Sequence, residues 1–170
     1  MGWVVLTLRK KELKRTHADY QMRDLQIARE QRQMSRQYQY EQSVIQGQQN
    51  EEVRDLRTSY NDQRSSLRDQ LSVLREDQSE SGSSETAAEI ADIQSELEQL
   101  QLTYSENTND VKTFYETELA MIEEEANDIE TMYEQEKVDV ESQMESVSQE
   151  IQSVSDAISN AIQQSTIKLS

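Results

Sequence analysis

Apolar residues return at helical spacing along nearly the whole chain. In the first half, Leu6, Leu13, Tyr20 and Ile27 follow one another in steps of seven, and Met34, Tyr38, Ile45, Val53, Leu56, Tyr60, Leu67, Leu71 and Leu74 continue the series with looser steps. A step of seven is close to two α-helical turns, so these side chains share one face and leave the rest polar. The pattern predicts a first helical arm over residues 9–78. Its weakest part is residues 31–50, where eight glutamines and Gly47 predict a soft or locally bent helix.

In the second half, Ile90, Ile93, Leu97, Leu100, Tyr104, Val111 and Phe114 alternate in steps of three and four, with polar Asn107 in one slot. Leu119, Ile122, Ala126, Ile129 and Tyr133 continue one residue out of phase, and Val140, Met144, Val147, Ile151, Val154, Ile158 and Ala161 complete the run. These residues predict a second arm over 86–163 and a fraying polar tail over 164–170. Between the arms, residues 78–86 read Gln-Ser-Glu-Ser-Gly-Ser-Ser-Glu-Thr. The chain has three glycines and no proline, so Gly82 among its serines is the strongest break. A turn at residues 79–85 follows, with Ser84 or Thr86 capping the next helix and Glu89 completing a capping box with Thr86.

A turn there sets residues side by side when their numbers total about 164. Leu74, Leu67, Tyr60, Val53, Ile45, Tyr38, Ile27, Tyr20, Leu13 and Leu6 then mirror onto Ile90, Leu97, Tyr104, Val111, Leu119, Ala126, Lys137, Met144, Ile151 and Ile158, of which nine are apolar. The irregular steps match as well: the eight residues from Ile45 to Val53 oppose the eight from Val111 to Leu119, and the eleven from Ile27 to Tyr38 oppose Ala126 to Lys137. Lys137 is read as a tolerated defect in this seam, its ammonium reaching Glu134 or Glu141. The prediction is an all-α fold, a long antiparallel two-helix coiled-coil hairpin. At 1.5 Å per residue its arms would form a rod of roughly 110 Å.

Charge supports the same pairing. Residues 1–40 hold nine Lys or Arg and four acids, whereas residues 124–163 hold eleven acids and one base, Lys137. Antiparallel folding brings the two together, while a parallel dimer would set acid beside acid. Only 34% of residues are apolar and 30% are charged, too polar for a globular core but sufficient for a thin seam. The net charge of −17 disfavours nucleic acid as a partner. With no cysteine, thiolate chemistry, disulfides and Cys-based metal sites are excluded.

Residues 1–8, Met-Gly-Trp-Val-Val-Leu-Thr-Leu, are the most hydrophobic stretch, and Arg9, Lys10, Lys11, Lys14 and Arg15 follow directly. The charges come after the apolar run, the reverse of a secretion signal, and Leu6 replaces the Ser or Thr of a myristoylation motif. No apolar run is long enough to span a membrane, which points to the cytoplasm or to a particle assembled there. Trp3, Val4, Val5, Leu6 and Leu8 are therefore read as a docking segment for a protein partner, as strand or as helix. Tyr115, Met121, Met132 and Val140 exceed what one seam needs and predict a wet flank suited to self-association.

Other chemistry is thin. His17 is the single histidine and is read as lying on a solvated face, with no second imidazole or cysteine to complete a metal or catalytic site. Glu123, Glu124 and Glu125 point in different directions on a helix and lack the glycine of a calcium loop. Most tyrosines fall on seam phase and read as packing. No cofactor is implied, and no motif selects a protein family.

The resulting reading is a non-enzymatic structural or assembly protein, packing into a multi-subunit complex through its N-terminal segment and helix flank. Long hairpins of this shape serve in phage particles as virion components and in secretion machines. Two alternatives are an acidic adaptor or chaperone gripping a basic partner along residues 106–156, and a peripheral membrane peg made by residues 3–8 with the basic cluster.

Overall fold

The computed structural model describes residues 2–167, the side chains of 166 and 167 excepted. Met1 of the docking segment and residues 168–170 of the tail lie outside the described residues. Two helices make up the fold: α1, Gly2–Ser81, and α2, Ser84–Ile167. They pack against each other as an all-α helical hairpin, and there is no strand among the described residues.

The turn is tighter than residues 79–85, because only Gly82 and Ser83 leave helical geometry. Gly82 adopts a left-handed φ of 63°, and its amide donates to the Gln78 carbonyl at 2.9 Å. That single bond closes the end of α1 in the manner of a left-handed glycine cap. Ser83, rather than Ser84 or Thr86, caps α2: its Oγ accepts from the Glu85 amide at 3.2 Å. Once Gly82 has reversed the chain, Ser83 is the first residue outside the helix whose hydroxyl can reach an unpaired amide.

Contacts divide the chain into two units, each built from a stretch of both helices: a terminal unit, Met1–Tyr38 with Glu124–Ser170, and a turn unit, Gln39–Glu123. The glutamine-rich stretch is continuous helix, Gly47 included, and the unit boundary falls inside it. Residues 164–167 are helical too, where fraying was predicted.

In the turn unit the Tyr60 and Tyr104 rings stack with centroids 4.4 Å apart and planes 17° from parallel. Tyr115 donates its hydroxyl to Glu52 at 2.9 Å. Moving from Tyr60 down to Glu52 on α1 therefore moves up α2, so the helices run antiparallel. Val53, Leu56, Leu67, Leu74, Ile90, Leu97 and Val111 are half-buried along this seam and Leu71 is buried. Asn107 and Phe114 are exposed, and half-buried Thr108 and Tyr115 occupy the slots assigned to them. The cause is periodicity: a straight helix drifts about 20° per heptad against a strict 3.5-residue repeat, and an extra step of four restores the inward face.

In the terminal unit Leu13, Ile27, Tyr38 and Val140 are buried, with Tyr20, Met144, Ile151 and Ile158 half-buried. Val140 is thus seam and not wet flank. Lys137 is exposed and pairs with Glu141 at 3.9 Å, while half-buried Glu136 and buried Val140 take the inward slots on either side. It is a surface lysine and not a seam defect. The inward stripe of α1 is fuller than its apolar residues suggest: Lys10, His17, Asp24 and Gln31 are half-buried between Leu6, Leu13, Tyr20, Ile27 and Met34. His17 accordingly sits in the seam and not on a solvated face. With two helices side by side, position sets burial, and long polar side chains lay their stems along the apolar face of α2.

Candidate functional site

The N-terminal segment is the first two turns of α1, helical from Gly2, with Thr7 Oγ1 donating back to the Trp3 carbonyl at 2.8 Å. Its apolar side chains are in water: Trp3 is 50% exposed, Val4 43%, Val5 65% and Leu8 59%. Leu6 is half-buried and belongs to the seam stripe. Helical spacing places Val4 and Leu8 on one line with Lys11 and Arg15, all exposed, so an apolar patch runs into a basic one along a single face.

The basic cluster is split between two tasks. Arg9 bonds Glu150 at 2.8 Å and lies 3.7 Å from Glu12. The Glu150 hydrogen bond and charge raise the Arg9 pKa further above its ordinary value. Two heptads along, Arg23 bonds Glu136, its Nε at 2.7 Å, and lies 3.6 Å from Glu30; the Glu136 bond raises its pKa in the same sense. Glu150 and Glu136 are also two heptads apart, so both ion pairs report one antiparallel register. Lys11, Lys14 and Arg15 are exposed and form no ion pair among the described residues.

On α2, Phe114 and Met121 are 58% and 51% exposed and lie seven residues apart on one face of the turn unit. Phe114 rests edge-on against Tyr115, centroids 5.2 Å apart. Tyr115 itself is half-buried, and its bond to Glu52 raises the phenol pKa above the ordinary 10.0. Met132 and Val138 in the terminal unit are exposed singly.

Two shallow grooves flank the seam beside the turn. One, of about 620 Å³, has Val73, Leu74 and Ile93 in its floor and Asp69, Glu89 and Asp92 on its rim, with Gln70. The other, of about 930 Å³, is lined by Leu71 and Leu97 and carries both signs of charge, Arg68 and Arg75 against Glu76 and Glu98.

Among the described residues no group of His, Asp or Glu converges to hold a metal ion, and no helix is long and apolar enough to cross a membrane. Among the described residues two buried polar atoms, Asp24 Oδ1 and Thr108 Oγ1, have no hydrogen-bond partner. The seam slots of Lys10, His17, Asp24 and Gln31 are what an apolar-only reading misses. They are seven residues apart, midway between the apolar steps, so completing the heptad would have found them.

Fold and surfaces together define a helical hairpin with an amphipathic, basic N-terminal start and an acidic turn region. Compared with protein-family models, curated proteins and solved structures, the chain shows no match.

Proposed function

We propose that this chain is a non-enzymatic assembly protein, a helical hairpin that packs into a multi-subunit complex through the first two turns of α1. The observation that carries the reading is the exposure of Trp3, Val4, Val5 and Leu8 together within the first two turns of α1, whereas the helix's other exposed apolar residues, Met22, Leu25, Tyr40, Val44 and Val73, are more widely spaced. Fully burying such a side chain contributes about 1.5–3 kcal/mol, so the group can anchor a protein–protein contact. The same residues are too few to hold a bilayer firmly. Docking as a helix into a partner groove fits their spacing, with Val4, Leu8 and Lys11 as successive anchors on one face.

The test is a chain lacking residues 2–8, tagged and returned to its native source. Helical content by circular dichroism should stay nearly unchanged, because the seam from Leu13 onward is intact. Recovery in the parent complex should be lost. Normal recovery of the truncated chain would refute the anchor role.

A further inference from the structure

Charge is distributed unevenly between the two units. Residues 39–123 carry six Lys or Arg against nineteen Asp or Glu, a net −13 of the chain total of −17. The groove of about 620 Å³ lies in this acidic unit, and its three charged lining residues, Asp69, Glu89 and Asp92, are all carboxylates and all exposed. Val73 in its floor is 58% exposed. Its volume falls within the span of ordinary ligand pockets, and its apolar residues Val73, Leu74 and Ile93, drawn from both α1 and α2, suit the apolar face of a third helix. An occupant must bring apolar side chains and positive charge together. The mixed groove on the opposite side of the seam, with Arg68 and Arg75, makes no such demand.

The chain carries a segment of that description. Val4 and Leu8 lead into Lys11 and Arg15 along one exposed face of α1, with Val5 and Lys14 beside it. We propose that this stripe of one copy docks into the acid-rimmed Val73–Ile93 groove of a second copy, apolar residues on the floor and bases on the rim. The inference rests on the docking role proposed for the N-terminal segment and names its partner, a second copy of this chain. Stripe and groove are different surfaces, so the contact is heterologous: each added copy offers a fresh groove and a fresh stripe, and the assembly grows or closes into a ring. Apolar burial holds the contact, and the facing charges orient it and make it sensitive to salt.

The experiment is sedimentation velocity on the purified full chain and on two charge-reversed forms. The first carries K11E, K14E and R15E; the second carries D69K, E89K and D92K. The unaltered chain should rise from the 19.8 kDa of one copy to multiples of that mass as concentration increases at low salt, and return towards one copy at high salt. Each reversed form alone has stripe and groove of like sign and should stay single. Mixed together, the two should associate again, because each supplies what the other now requires. Where a triple reversal lowers helical content, Val73→Gln carries the test and should weaken association with the helical signal unchanged.

A chain that remains single at every concentration overturns self-docking, as does association that neither reversal disturbs. If the single chain instead co-sediments with phosphatidylserine–phosphatidylcholine vesicles through Lys11, Lys14 and Arg15, the stripe serves a lipid surface and the proposal falls. These failures are separable from that of the assembly reading. Loss of the truncated chain from the native complex, combined with no self-association of the purified chain, keeps the docking segment and removes only the second copy as its partner.

Discussion

Ile27 has no exposed surface, and three residues away Asp24 presents a carboxylate oxygen with no partner to the same seam. The two side chains lie on one stripe of α1 and contribute with opposite sign. Truncating a fully enclosed isoleucine removes transfer energy and leaves a cavity, so Ile27→Ala should cost about 2–5 kcal/mol. Leaving a buried polar atom unpaired costs roughly 1–3 kcal/mol, and Asp24→Leu should recover a comparable amount. Urea titrations of the two variants against the unaltered chain read both effects in a single observable. A destabilised Asp24→Leu would show that the carboxylate sets the register of the seam, as polar residues at such positions do in other coiled coils. Composition marks Ile27 as core, whereas the burial of Asp24 follows only from its place in the heptad.

At the scale of elements, two glycines have the same composition and opposite meanings. Gly47 lies inside α1 with open space around its α-carbon, and Gly82 holds φ at +63°, also with open space. Gly47→Ala should stabilise the chain by about 0.5–1 kcal/mol, because alanine loses less backbone freedom on entering a helix. Gly82→Ala should destabilise it by about 1–2 kcal/mol, the cost of placing a β-carbon in the left-handed region. Thermal melts followed at 222 nm test the pair, and since neither new methyl meets a neighbour, the difference isolates backbone conformation. The turn was legible because serines surround Gly82 and no proline competes with it. The helix through residues 31–50 is continuous despite its glutamines and Gly47, because intrinsic propensity is small per residue and contact with a second helix overrides it.

For the whole molecule the pairing of the arms is the property to test. Leu13 is buried and Ile151 half-buried in the terminal unit, at positions whose numbers total 164, the total that also relates stacked Tyr60 and Tyr104 in the turn unit. Facing seam positions bring α-carbons towards the roughly 4.4–6.8 Å span of a disulfide. A chain carrying Leu13→Cys and Ile151→Cys, oxidised at high dilution, should give an intrachain bridge that changes mobility on non-reducing gels without doubling the mass. Bridges formed only between chains would overturn the intramolecular pairing. The ion pairs Arg9–Glu150 and Arg23–Glu136 carry the same direction. Both were foreshadowed by the basic residues 1–40 facing the acidic residues 124–163, though not their identities, which depend on the rotation of each helix.

The sequence by itself determined that the chain is helical, where it turns, and which way its arms pair. Those properties rest on a sustained apolar period, one left-handed glycine and mirrored spacing and charge, each written along a single strand of residues. Tertiary structure alone decided which neighbour fills each inward slot: Thr108 and Tyr115 in place of Asn107 and Phe114, Glu136 in place of Lys137, and His17 and Asp24 inside the seam. The 3.6-residue turn does not divide into a seven-residue pattern, so a shift of one residue in phase costs nothing within an isolated helix. It becomes fixed only when a second helix lies against the first.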